Sequence, residues 1–132
     1  MNTHVFVFKG CSASDPVNKT FGYFDWLHNS GFVRSPNYPN HYPGNQVCRW
    51  YIKVAPGYRI QITVDVAEIA HATDSGNVGD SLQVDDGISF KRSQDHPVPW
   101  TFVSAGHHVR ILFFTDNVDT AKGFYLRYER GI

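Results

Sequence analysis

From Arg59 to Val66 the chain reads Arg-Ile-Gln-Ile-Thr-Val-Asp-Val, polar and apolar by turns. This period of two sets Ile60, Ile62, Val64 and Val66 on one face and Arg59, Gln61, Thr63 and Asp65 on the other, the pattern of a half-buried antiparallel strand. The same alternation recurs. Trp50, Ile52 and Val54 alternate with Tyr51 and Lys53, and Phe124, Leu126 and Tyr128 with Tyr125, Arg127 and Glu129. Val109, Ile111 and Phe113 alternate with Arg110, Leu112 and Phe114, a strand apolar on both faces near its centre. Leu82 and Val84 predict a shorter strand, stopped by Asp85-Asp86-Gly87. Turn signals separate these runs at Pro56-Gly57, Ser75-Gly76-Asn77, Ala105-Gly106 and Lys122-Gly123. No segment carries a helical stripe, and residues 67 to 73, AEIAHAT, have room for one helical turn and no more. Short strands without helices between them predict an all-β sandwich or barrel, and 132 residues predict one domain.

Composition removes several functions. Twelve basic residues balance twelve acidic ones and no basic run exists, so nucleic-acid binding is not expected. No apolar stretch approaches the length of a membrane span, so no membrane insertion is expected. The opening MNTHVFVFKG holds an apolar run of only four residues, Val5 to Phe8, too short for the core of a signal peptide. The signal of an exported chain is therefore expected elsewhere. Two cysteines, Cys11 and Cys48, permit one internal pairing, which would close a loop of roughly 38 residues and contribute about 4 kcal/mol. Asn18-Lys19-Thr20 is an N-glycan acceptor if the chain passes through a secretory pathway. Together these signals favour a secreted, extracellular protein.

Residues 31 to 62, GFVRSPNYPNHYPGNQVCRWYIKVAPGYRIQI, hold a dense proline and tyrosine segment, then Cys-x-Trp, an alternating strand and a Pro-Gly turn. Downstream lie GDSLQVDDG and HVRILFFTDNVDTAKGFYLRYE. This order resembles the CUB domain family, with the likeness running over residues 31 to 129. The resemblance implies an antiparallel β-sandwich of two sheets with jelly-roll-like topology. Residues 31–132 would be its core, and residues 1–30 an N-terminal strand and extension of the same domain with an aromatic insert. Proline lacks an N–H, so the segment from Ser35 to Pro43 can cross a sheet edge without templating aggregation. Its asparagines would close Asx-turns and place Cys48 and Trp50 at the entry to the core. Three departures stand out. The family's second disulfide has neither partner, Cys11 lies about 20 residues before Gly31 where the family has roughly half that, and the segment 67 to 80 is longer by a residue or two.

The resemblance also implies a site. Many CUB domains hold Ca2+ through a Glu and two Asp, and hard oxygens from separate loops suit that ion. Asp80 and Asp116 match the two Asp positions, with Asn117 beside the second. Ala70 falls at the Glu position, so Glu68 or Asp74 would have to substitute. Carboxylates held by the ion would present oxygens to a Lys or Arg of an extracellular protein partner. Otherwise Asp80 and Asp116 cap loops by accepting backbone N–H bonds. The insert Phe21, Tyr23, Phe24, Trp26 and Leu27 either anchors a ligand or covers a sheet edge. A carbohydrate or glycoconjugate ligand, as in the spermadhesin members, would stack on Tyr23, Trp26 or Trp100.

Catalysis is not expected. The chain has no G-x-S-x-G elbow, no H-E-x-x-H, no C-x-x-C and no glycine-rich phosphate loop. His107 and His108 are adjacent and, in an extended segment, would face opposite ways. Asp85 and Asp86 are likewise adjacent rather than a facing acid pair.

Overall fold

The computed structural model describes residues 3–7, 21–25, 30–71 and 79–131. Among these residues ten strands form: β1 Thr3–Val7, β2 Phe21–Asp25, β3 Ser30–Arg34, β4 Val47–Lys53, β5 Arg59–Glu68, β6 Ser81–Asp85, β7 Phe90–Arg92, β8 Trp100–Val103, β9 His108–Phe114 and β10 Gly123–Gly131. They build a six-stranded sheet in the order β2-β1-β4-β9-β6-β7 and a four-stranded sheet in the order β3-β10-β5-β8. Every pairing is antiparallel. The all-β, two-sheet sandwich expected from the sequence is the fold found. The 3-10 turn Ser93–Asp95 is the one helical element among the described residues.

In β4, β6, β9, β10 and β5 as far as Val64, the core takes the inward positions that the alternation assigned, and β3 and β8 add Val33 and Phe102, which it did not assign. Ile52, Val84, Val109 and Ile111 from the larger sheet meet Val33, Ile62, Phe102 and Leu126 from the smaller. Aromatic rings connect the layers. Phe124 lies edge-on to Trp50 at 5.8 Å and to Phe113 at 5.1 Å, and Phe113 meets Tyr42 at 5.0 Å. Each such contact contributes about 0.5–1.5 kcal/mol beyond the area it buries.

Val66 departs from its expected face. Tyr125 pairs with Val66 and Leu126 with Val64, so Asp65 is an extra residue in β5 and the register shifts there. A one-residue insertion reverses every later side chain on that strand. Ala67, opposite Phe124, therefore packs against the core while Val66 does not join it. β5 continues to Glu68, which rules out the helical turn allowed for 67 to 73 as far as Glu68.

The proline-rich segment ties β3 to the far end of β10. Ser35 N–H donates to the Phe124 carbonyl at 3.1 Å, and Phe124 N–H donates to Ser35 Oγ at 3.0 Å. Main-chain bonds close its turns, Tyr38 N–H to the Ser35 carbonyl and Asn40 N–H to the Asn37 carbonyl. Asn37 and Asn45 contribute left-handed backbone, with φ of 67° and 57°, which asparagine tolerates better than most residues. Cys48 and Trp50 then enter the core, both buried. Gly123 is required by two independent constraints: its φ is 99°, and a side chain there would run into Ser35 Oγ.

The β6–β7 turn is held by its two acids. Asp85 receives Gly87 N–H at 3.1 Å and the Arg110 guanidinium through Nε at 3.2 Å and Nη2 at 3.1 Å. Asp86 accepts N–H bonds from Ile88, Ser89 and, across the sandwich edge, Ala105 at 2.6 Å. Burial pushes the Asp86 carboxyl up, but the N–H donors of Ser89, Ala105 and Ile88 outweigh it and hold it below the ordinary 3.8.

Gly123→Ala is expected to lower unfolding free energy by at least about 2 kcal/mol, read from urea denaturation, because the strained φ and the collision with Ser35 add. Because the folded-state value of Asp86 lies below the unfolded one, its contribution is present above pH 3.8 and disappears as pH falls through the folded value. The difference in stability between wild type and Asp86→Asn should therefore be full at neutral pH and close in acid.

Candidate functional site

Three connections converge at one end of the sandwich: the proline-rich segment between β3 and β4, the link from β5 to β6, and the link from β9 to β10. Tyr42 comes from the first, Asp80 from the second and Asp116 from the third. The Tyr42 hydroxyl donates to Asp80 Oδ2 at 2.5 Å and accepts the Ala70 N–H at 2.9 Å. Asp116 N–H donates to Asp80 Oδ1 at 2.7 Å. Asp116 in turn accepts Gly79 N–H on Oδ2 at 3.0 Å and Val118 N–H on Oδ1 at 3.0 Å. Asp80 N–H closes the ring by donating to the Ala70 carbonyl at 2.8 Å.

Asp80 is 2% exposed, yet no basic side chain is bonded to its carboxylate among the described residues; the His71 ring lies 3.2 Å from its main-chain carbonyl instead. Burial pushes its carboxyl above the usual carboxylate value; the Tyr42 hydroxyl and Asp116 N–H oppose the rise, and the Asp116 charge adds to it. Burial, then the bond to Asp80, also raise the Tyr42 phenol. The cluster is thus anionic and costly to desolvate, and a cation would relieve that cost. Among the described residues, each carboxylate oxygen of the pair receives one donor.

The structure brings Asp80 and Asp116 together and leaves the other expected ligands apart. Glu68 sits at the end of β5 with its side chain 62% exposed and its carboxylate 4.0 Å from Lys122 Nζ. No group of three metal-ligating side chains forms among the described residues, so Glu68 does not take the missing position. Asn117 is exposed beside the pair, its Cα packed near Gly44. Asp74 lies outside the described residues, as do Cys11, Asn18 and Trp26; Tyr23 lies in β2, where the strand alone is described. Trp100 is 6% exposed, and the His96 ring packs 5.6 Å from it. His107 precedes β9 in a bend rather than a strand, which lets its ring approach His108 to 5.8 Å instead of facing away.

Sequence reasoning missed the role of Tyr42. It sits in the Tyr-Pro of the proline-rich motif and was read as architecture, while its hydroxyl is the group that satisfies Asp80. A tyrosine kept at 1% exposure needs a partner for its oxygen, but the sequence carries no signal of which residue supplies it, because Asp80 lies 38 positions away.

A CUB domain family model matches residues 22–128. Cubilin of Rattus norvegicus is 35% identical over 103 residues, covering 72% of this chain and 3% of that protein. The solved full extracellular region of zebrafish Gpr126/Adgrg6 superposes with a TM-score of 0.70 at 30% identity, over 78% of this chain and 14% of the other. The MASP-1 CUB2 domain bound to Ca2+ superposes with a TM-score of 0.61 at 24% identity, over 77% of this chain and 93% of the other, and shows the shared fold. The chain spans a small part of the length of the curated relatives it matches, from 3% to 15%. CUB domains are extracellular protein-interaction modules and the family is non-catalytic. Among the described residues no helix is long and apolar enough to cross a membrane.

Tyr42→Phe removes the hydroxyl and leaves the Ala70 N–H and one Asp80 oxygen without a partner at almost unchanged shape. A loss of about 1–3 kcal/mol in unfolding free energy is expected by chemical denaturation.

Proposed function

Because this chain belongs to the CUB domain family, we propose that it is a non-catalytic extracellular module that recognises a protein partner through the acidic loop end around Asp80 and Asp116, with calcium as the supporting ion. The observation that carries this reading is the 2.7 Å bond from Asp116 N–H to Asp80, which fixes two carboxylates from separate connections against each other. A buried acid beside a second acid is costly without a counter-ion, and hard oxygens from separate loops suit calcium. The Ca2+-bound MASP-1 CUB2 domain, which has the same fold, lends support.

The donors fit such an ion as a partial shell. Asp80 and Asp116 would hold it, and Ala70 supplies no carboxylate. One charge fewer places the affinity in the weak range of extracellular modules, about 10⁻⁴–10⁻³ M. Asp116, more open than Asp80, would accept a charge-assisted hydrogen bond from a partner's Lys or Arg. The bound ion supplies positive charge; the chain's own residues orient the acceptor oxygens.

The same reading assigns residues 1–30 to the domain, supported by the pairing of β1 with β4. It joins Cys11 to Cys48, supported by the full burial of Cys48 and by the absence of a free cysteine among the described residues. It places a glycan on Asn18, in keeping with an extracellular location.

Calcium at about ten times its dissociation constant should stabilise the fold by about 1.4 kcal/mol, a rise in melting temperature that EDTA reverses. Asp116→Ala should abolish that rise together with binding of a partner that a lysine-rich peptide competes away. A melting temperature indifferent to both calcium and EDTA would remove the calcium part of the reading.

A further inference from the structure

The outer face of the four-stranded sheet is unlike the wetted face that alternation predicts. Phe32 on β3 is 55% exposed and lies nearly parallel to Tyr125 on β10, 5.6 Å away with 22° between the rings. Tyr38 extends the row at 6.0 Å from Tyr125. Arg34 lies over Phe32 at 5.4 Å and Lys122 over Tyr38 at 5.8 Å, which hold the row at both ends. Beside Phe32 and Tyr125 is a groove of about 290 Å3 whose remaining wall includes Gln61, Thr63, Arg127 and Glu129. Arg127 is fixed there by Asp65, which the β5 bulge brings within 2.9 Å of its Nε. The Gln61 carboxamide and the Thr63 hydroxyl have no hydrogen-bond partner among the described residues, although Thr63 is only 8% exposed.

We propose that this groove is a carbohydrate subsite that takes a neutral pyranose unit of a glycan, independently of the acidic loop end. Its volume is near the lower end of the range for small-molecule sites, about 300–1,000 Å3, which suits one sugar ring better than a protein segment. The charges select a neutral ligand, because Arg127 is already matched by Asp65 and Glu129 would repel an anion. A sugar has the amphipathic surface that this wall complements. Its C–H faces carry slight positive charge and pack on the negative face or the edges of aromatic rings. Its hydroxyls both donate and accept, as do the carboxamide of Gln61 and the hydroxyl of Thr63. The rings and Arg127 are already held in place, so little side-chain freedom is lost on binding.

The test is a titration of the folded protein with the neutral disaccharides lactose, maltose, chitobiose and mannobiose, followed by 15N–1H chemical shifts, with sialyllactose and a sulfated disaccharide as anionic arms. At least one neutral sugar is expected to give saturable shifts centred on Phe32, Gln61, Thr63, Tyr125 and Arg127, unchanged by EDTA. Tyr125→Ala and Gln61→Ala should each weaken that binding at least tenfold at wild-type melting temperature; Gln61→Ala keeps the test intact if loss of the tyrosine ring disturbs the row. No saturable shift with any neutral sugar, shifts centred elsewhere, binding confined to the anionic arms, or both variants binding like wild type would overturn the proposal. A failed calcium response leaves this titration unaffected, so the two readings fail separately.

Discussion

A single phenol holds together the end of the sandwich where the loops gather. The Tyr42 ring is wedged edge-on against Phe113 in the core, while its oxygen reaches out between the Ala70 N–H and the Asp80 carboxylate. Three connections far apart in sequence depend on that one side chain for their relative placement. Asp80 then passes the constraint to Asp116 through a main-chain donor, and Asp116 fixes Gly79 and Val118. The acidic pair is therefore not a surface decoration. It is continuous with the packed interior, and whatever stabilises its charge also stabilises the closure of the two sheets at that end.

Much of this was legible in the chain because strands bury one face. β4, β5, β6, β9 and β10 follow from alternation alone, and their inward residues, Val66 apart, make most of the observed core. The shorter strands were not legible for physical reasons. β8 has four residues between two prolines upstream and a turn downstream, and β7 has three, too few for a period to declare itself. β3 was masked by the turn-rich run that follows it, although Phe32 and Val33 alternate. The bulge at Asp65 was invisible because an extra residue breaks no pattern on its own strand; it appears only against the register of β10.

The acidic site was half legible. Motif positions located Asp80 and Asp116, but spacing cannot say whether a third acid folds back to join them, and Glu68 turns to Lys122 instead. The groove on the smaller sheet was not legible at all. Phe32 and Tyr125 lie on different strands over 90 positions apart in sequence order, and only the pairing of β3 with β10 makes neighbours of them. Loop end and sheet face therefore offer two chemistries on one scaffold, the first ionic and the second amphipathic.

The extra residue in β5 also constrains how such a chain can vary over time. Replacement of a side chain on that strand disturbs one contact, but loss of Asp65, the residue between Val64 and Val66, would straighten the strand against β10, remove the local twist of the bulge and take away the carboxylate that holds Arg127. Changes of length are therefore tolerable only where no partner strand keeps count.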